Sequence, residues 1–153
     1  MRVGLISDTH GLVRPEALHA LEGVAHILHA GDIGTPEVLH ALRAVAPVTA
    51  VRGNNDRGGW AEAVPEREML ELGGAWIYLL HDLAELDIDP EAAGVQVVMA
   101  GHSHKPAVER RGGVLYVNPG SAGPRRFTLP VSVGFLEVEA GRVEATLATL
   151  PTR

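Results

Sequence analysis

The sequence contains no cysteine. Disulfides, a thiol nucleophile, iron–sulfur ligation and cysteine-bound structural zinc are therefore excluded. Aromatic side chains are scarce, at 4% of 153 residues, so a core has to be assembled from Val, Leu, Ile and Ala. Excess positive charge is also lacking. The formal net charge is −6, which excludes a bulk basic surface for nucleic acid as the main binding mode and leaves room only for a local positive site. No apolar run approaches the roughly 20 residues needed to span a bilayer. The apolar start from Val3 to Ile6 passes straight into Ser7-Asp8 and is too short for the core of a secretory signal. The expectation is a soluble, cytoplasmic protein without membrane association. What is present is a 46% hydrophobic fraction, enough for a sizeable core. The length suits a single domain over residues 1–153. There are also eight histidines, more than usual for this size.

The first half alternates short apolar runs with amphipathic stretches. The pattern predicts strands over Arg2–Ser7, Ala25–Ala30 and Pro47–Arg52. Between them it predicts helices over Pro15–Glu22 and Thr35–Val45, each with Pro at its first position and the second with a Thr cap. This β-α-β-α-β order argues for a parallel sheet with crossover helices. The second half reads as mostly antiparallel β. Hairpins are expected from Arg67–Leu72 to Ala75–Leu80 through Gly73-Gly74, and from Ala107–Arg111 to Val114–Val117 through Gly112-Gly113. A third joins Val131–Glu139 to Arg142–Leu150 through Ala140-Gly141. Val95–Ala100 reads as a buried strand, preceded by a short helical turn over Asp89–Ala93. The α/β class and two stacked sheets with helices outside follow.

Five of these apolar runs end in residues that bind metals well. They lead into Asp8-Thr9-His10, Gly31-Asp32, Gly53-Asn54-Asn55-Asp56, His81-Asp82 and Gly101-His102-Ser103-His104. Ligands of α/β sheets bind outside the carboxyl ends of the strands. If these ends meet at one edge, they bring together carboxylates, an amide and four imidazoles. Asp8 and His10, like His102 and His104, are two residues apart, roughly 6.5–7 Å along extended chain and on one face. Such pairs can converge on two ions roughly 3.5–4 Å apart. The donors are nitrogen and oxygen only, which suits Mn²⁺, Zn²⁺, Fe or Ni²⁺ better than a thiophilic ion. With Asp8 and Asp32 as counter-charges, a two-ion site stays positive and suits an anionic substrate such as a phosphate ester. Taken singly, Asp8 and Asn54 read as turn residues and Asp32 as a helix cap. The combination makes them ligands.

The ordered set of motifs resembles that of the calcineurin-like metallophosphoesterases, over Met1 to about Glu139. The short length and Asn118-Pro119-Gly120-Ser121 resemble the small bacterial and archaeal branch, often described as phosphodiesterases. The resemblance implies a four-layer α-β-β-α sandwich of two mixed sheets, the metallo-dependent phosphatase fold. It implies two divalent transition-metal ions, Mn first and Ni, Fe or Zn as alternatives. Asp8, His10 and His104 would hold one ion, and Asn54, His81 and His102 the other. Asp32 would bridge them together with a metal-bridging hydroxide that attacks phosphorus in line. Asn54 would also contact a phosphate oxygen. The expected activity is hydrolysis of a small phosphate ester, most readily a diester. A phosphomonoesterase and a non-catalytic scaffold like the retromer subunit of this fold are the alternatives.

Two positions depart from the family pattern. Asn55 stands where many larger members have a histidine able to protonate the leaving group, and an amide cannot act as a general acid. Asp56 is the neighbouring carboxyl. Asp82 stands where glycine usually follows the His81 position. Outside the motifs, Arg125 and Arg126 are candidate phosphate contacts, although a surface role is the simpler reading. His29 is a candidate for hydrogen bonding beside the site. His19, His26 and His40 fall on predicted elements and read as ordinary surface or half-buried residues. Loops 11–14, 55–64, 82–90 and 122–129 are the expected specificity determinants. Trp60 reads as a pocket wall or an oligomer contact, and the C-terminal apolar hairpins leave a homo-oligomer open.

Overall fold

Alternating and continuous apolar runs become ten strands in two sheets. The computed structural model describes residues 1–126 and 128–152. Phe127, within the expected specificity loop 122–129, and Arg153 lie outside the described residues. The first sheet contains β1 (Arg2–Ile6), β2 (His26–His29), β3 (Val48–Ala50), β9 (Ser132–Glu139) and β10 (Arg142–Thr149), in the order β10-β9-β1-β2-β3. β1, β2 and β3 run parallel, and β9 joins β1 antiparallel. The second sheet contains β4 (Arg67–Leu72), β5 (Ala75–Leu80), β6 (Val97–Met99), β7 (Ala107–Arg111) and β8 (Val114–Asn118), in the order β4-β5-β6-β8-β7. Its β5, β6 and β8 are parallel and its two outer strands antiparallel. Both sheets are mixed, as the fold class requires.

Period-two alternation decides what each sheet buries. Val3, Leu5, Leu28 and Leu136 from the first sheet meet Ile77, Leu79, Val97, Met99 and Val117 from the second in a shared core. Each fully buried large aliphatic contributes about 1.5–3 kcal/mol. The other face of the first sheet packs Ile6, Ile27 and Val133 against Ala17 of α1 (Pro15–Ala20), Leu21 just after it, and Val38, Leu39 and Leu42 of α2 (Pro36–Arg43). The outer face of the second sheet packs Tyr78, Leu80 and Val98 under Leu83, Leu86 and Ile88. That fourth layer is thin. It consists of the segment after β5, whose helical content is one 3-10 turn over Leu83–Glu85. Tyr78 donates to Asp87 at 2.6 Å, and Arg67 donates to the Glu85 carbonyl at 3.1 Å, so the segment is tied down at two points.

The element boundaries shift in instructive ways. Ser7 leaves the first strand because the backbone turns sharply at Asp8, where φ is 54°. Helix α1 stops two residues early, at Ala20. Thr35 takes the extended N-cap position of α2, but its hydroxyl makes no capping bond, and Pro36 starts the helix alone. The helical turn expected over Asp89–Ala93 is present as one isolated turn, with the Ala93 amide donating to the Asp89 carbonyl four residues back at 3.0 Å. A four-residue helix, α3 (Gly59–Glu62), lies in a loop that sequence periodicity leaves unassigned.

Candidate metal centre

Parallel pairing puts the carboxyl ends of β1, β2 and β3 on one edge of the first sheet, and that of β5 and β6 on one edge of the second. Asp8 and His10 follow β1, Asp32 follows β2, and Asn54 follows β3. His81 follows β5, and His102 and His104 follow β6. Each strand ends in an abrupt turn there. Asp8, His10, Asp32, His102 and His104 all have positive φ, between 47° and 71°. A non-glycine residue in that left-handed region is strained and persists only where the surroundings hold it. Turning back at once keeps these side chains beside the strand tips.

Asp8 is fully buried. Its Oδ2 accepts from the Ser7 hydroxyl at 2.6 Å and the His102 amide at 3.1 Å. Its Oδ1 has no partner among the described residues and faces His104 Nε2 at 3.4 Å, His10 Nε2 at 3.9 Å and His81 Nε2 at 4.0 Å. Asp32 Oδ1 accepts from the Asn55 amide at 2.9 Å. Its Oδ2 takes the Asn55 side-chain amide at 3.1 Å and lies 3.3 Å from His81 Nε2 and 3.9 Å from His10 Nε2. Asp8, His10 and His104 thus form one group of donors within metal reach, and Asp8, Asp32 and His81 a second. Asp8 belongs to both groups, while Asp32 belongs to the second and stands 3.9 Å from His10 of the first.

Backbone contacts set the histidine tautomers. His81 Nδ1 donates to the Ala30 carbonyl at 2.8 Å, which turns Nε2 toward the carboxylates. Burial opposes charge on His81, but the Asp32 hydrogen bond and the charges of Asp8 and Asp32 outweigh it and raise its pKa to about 9. Burial likewise penalises the Asp32 anion. The His81 hydrogen bond, the Asn55 amide and the positive charges of His81 and His10 still hold it well below the usual carboxylate range. For His104 burial dominates and lowers the pKa, against Asp8 and with help from Arg126. Among the described residues, the buried atoms of the centre without a hydrogen-bond partner are Asp8 Oδ1, His10 Nε2 and His104 Nδ1. A buried polar atom without a partner costs about 1–3 kcal/mol. A cation-binding group of atoms is the economical reason for Asp8 Oδ1 and His10 Nε2 to face each other unpartnered with His104 Nε2 beside them, and this nitrogen and oxygen set fits divalent transition metals.

The remaining candidates stand further out. His102 has 47% of its side chain exposed, and its Nδ1 lies 3.3 Å from His81 Nε2. Asn54 is exposed. With Gly53, Arg52, His81, Asp82 and His102 it lines a cleft of about 370 Å³ that opens beside the centre. Arg125 and Arg126 are exposed on their loop, and only the Arg126 charge is felt at His104.

Several residues support the centre without entering it. Asp56 accepts from the amides of Ile33, Gly53 and Gly34 at 2.9–3.1 Å, locking the Asp32 turn to the Asn54 turn. His29 is fully buried, and its pKa falls to about 3 through burial and then the nearby His81 charge. The Gly31 amide donates to its Nδ1, and Thr9 donates its own hydroxyl proton to the Ile33 carbonyl. His29 Nε2 therefore carries the proton and donates to Thr9 Oγ1 at 3.0 Å. Sequence reasoning overlooked Ser7 and Ser121. Ser121 donates to the Asp8 carbonyl at 3.0 Å, and Asn118 donates to the Gly101 carbonyl at 3.0 Å. The signal for the latter pair was the Asn118-Pro119-Gly120-Ser121 turn, read only as a mark of the branch. A Cβ at Gly53 would strike Asp32, and one at Gly101 would strike Ser7 and Asp8.

Comparison with known proteins agrees with this geometry. Residues 1–141 match the family model of the calcineurin-like phosphoesterase superfamily domain. A protein of Methanothermobacter thermautotrophicus, described as a probable metallophosphoesterase, is 34% identical over 96% of this chain and 91% of its own length. A second, from Methanocaldococcus jannaschii with the same description, is 34% identical over 96% of this chain and 80% of its own. Among solved structures, Zn²⁺-bound Vps29 from Entamoeba histolytica superposes with a TM-score of 0.74 at 25% identity, covering 97% of this chain and 99% of that one. A structure described as a novel archaeal phosphodiesterase reaches a TM-score of 0.79 at 23% identity, over 97% of this chain and all of the other, and shares the fold. Motif order, two-sheet fold and sequence identity converge, and the chain belongs to the calcineurin-like phosphoesterase superfamily.

Proposed function

We propose that this chain is a metal-dependent phosphodiesterase that uses two divalent transition-metal ions, Mn²⁺ first among them. The observation that carries the reading is the cluster of Asp8 Oδ1, His10 Nε2 and His104 Nε2, the first two buried without a partner among the described residues, in reach of Asp32 and His81. Asp8, His10 and His104 would hold one ion, and Asn54, His81 and His102 the other, with Asp32 between them. Bound there, the ions supply Lewis acidity toward a phosphoryl oxygen and make a water nucleophilic at neutral pH.

The chain's own residues do the positioning. Ser7 and the His102 amide occupy one oxygen of Asp8 and leave the other for the centre. Ala30 fixes the His81 ring. Asn55 holds both oxygens of Asp32 from outside. Asn54, at the mouth of the cleft, is placed to donate its amide to a phosphate oxygen. Neither of the two residues that follow Asn54 supplies a leaving-group proton. Asn55 has none to give, and the carboxylate of Asp56 is engaged by three amides. A leaving group that departs as a stable anion, or takes its proton from solvent, suits such a site. This favours activated diesters over unactivated monoesters.

The test is hydrolysis of bis-p-nitrophenyl phosphate by Mn²⁺-reconstituted protein, with Asp32→Ala alongside. Metal-dependent turnover that falls at least 100-fold in the variant is expected. Undiminished turnover in Asp32→Ala, with the fold intact by circular dichroism, overturns the reading. A scaffold role on the same fold is the second reading, and the likeness to Vps29 favours it. Absence of turnover with Mn²⁺, Ni²⁺, Fe²⁺ and Zn²⁺, together with capture of a specific protein partner, would establish it instead.

A further inference from the structure

His102 is the most exposed histidine of the centre, with 47% of its side chain open to solvent. Packing alone does not fix its ring. His81 Nδ1 is bound to the Ala30 carbonyl, so its other nitrogen, Nε2, faces the centre. His102 Nδ1 lies 3.3 Å from that nitrogen, so Nδ1 is the inward atom of His102. Its outward atom, Nε2, lies 3.8 Å from Asp82 Oδ2. The other oxygen of Asp82 is already occupied, because Oδ1 accepts from the Ala84 amide at 3.0 Å and caps the Leu83–Glu85 turn. That bond anchors the carboxylate and leaves Oδ2 directed at the imidazole.

A ligand nitrogen needs its lone pair, so inward ligation by Nδ1 requires the proton on Nε2. A carboxylate opposite Nε2 holds that proton, fixes the ring and raises the basicity of the inward nitrogen. The present 3.8 Å is an ion-pair separation, and a movement of about 1 Å at the exposed ring makes it a hydrogen bond.

From this we infer that Asp82 is a positioning residue that orients His102 and selects its Nε2–H tautomer, so that Nδ1 is presented to the second ion. The inference rests on the metal-binding reading above. It gives a purpose to the one carboxylate at the mouth of the cleft that sits where the sequence pattern has glycine.

Two variants separate orientation from turn capping. Asp82→Ser keeps a capping oxygen but cannot reach His102. Asp82→Asn keeps the capping oxygen and the reach, but its one oxygen is taken by the Ala84 amide, so an NH2 donor faces His102 Nε2 in place of the acceptor. In the metal-free protein, long-range ¹⁵N correlation spectra report the proton position on each imidazole. The His102 nitrogens are expected to shift in Asp82→Ser, and in Asp82→Asn to move further toward the Nδ1–H form, because the new NH2 donor favours a lone pair on Nε2. Calorimetric titration with Mn²⁺ is expected to show wild-type uptake of two ions. In Asp82→Ser one of them should weaken about 10–100-fold, and Asp82→Asn should weaken the same ion at least as much, since it favours the tautomer whose Nδ1 carries the proton. Unchanged His102 signals and wild-type affinity for both ions in Asp82→Ser overturn the role of Asp82. A wild-type chain that takes up no Mn²⁺ overturns the metal reading instead, which keeps the two failures distinct.

Discussion

His81 shows how much chemistry a single imidazole acquires from its two neighbours. Its pKa of about 9 against an ordinary 6.5 means that the metal-free protein carries a proton on Nε2, shared toward Asp32. The folded value lies above the unfolded one. This proton's contribution to metal-free stability is therefore complete below about 6.5 and is lost as pH rises through about 9. An ion at Nε2 must displace the same proton. Calorimetry at pH 7 in buffers of different ionisation enthalpy should show about one proton released from His81. Apparent affinity should rise toward pH 9, and a pH-independent affinity between 6.5 and 9 would refute the assignment. At Gly101 the constraint is steric. Gly101→Ala drives a methyl group into Ser7 and Asp8, at a cost of about 2–4 kcal/mol, read as a lower urea midpoint together with weakened Mn²⁺ binding. The seven ligand candidates were legible because each ends an apolar run in a donor residue. Ser7 and Ser121 were not, because serine beside a turn is ordinary turn chemistry, and only the fold reveals that both hydroxyls reach Asp8.

Among elements, hairpins proved easier to read than helices. The Gly73-Gly74 and Ala140-Gly141 turns between alternating runs place their strands to within a residue. Short helices that lie on a sheet end where packing ends. Thr35 leaves α2 without a side-chain cap although its position is right. The segment after β5 was the least legible. Its conformation depends on long-range ties, Tyr78 to Asp87 and Arg67 to Glu85, rather than on local pattern. Tyr78→Phe removes the first tie. The cost should be about 1 kcal/mol in global stability. Hydrogen exchange should accelerate selectively in residues 82–95, the segment that contributes Asp82 and Glu85 to the cleft. Uniform acceleration across both sheets would contradict a local role. The Asn118-Pro119-Gly120-Ser121 turn acts in the opposite sense. It braces the Asp8 and Gly101 turns together from behind through Ser121 and Asn118.

The whole molecule is two sheets joined by an apolar core and, at one edge, by the centre itself. Asp8, His10, Asp32 and Asn54 come from the first sheet, while His81, His102 and His104 come from the second. An ion shared between them would bind only the folded state and so link the sheets thermodynamically. Mn²⁺ at 100 times its dissociation constant should add about 2.7 kcal/mol per site. The melting temperature should rise with added metal and fall with chelator. Equal melting temperatures in both conditions would show that no ion spans the sheets. The α/β class and the pairing of carboxyl strand ends were legible from the alternation of elements. The central place of β9 was not, since nothing local states that residues 132–139 pair with residues 2–5 across the whole chain. That topology has a consequence for the order in which the protein can be made. The second sheet is one unbroken stretch, from β4 to β8, and can assemble while synthesis continues. β1 emerges first, yet it waits for β9 as its neighbour on one side. All seven ligand candidates have left the ribosome before β9 is complete. During that interval a nascent chain holds every donor it needs for a metal without the sheet that brings them together, and its last strands decide when the centre can close.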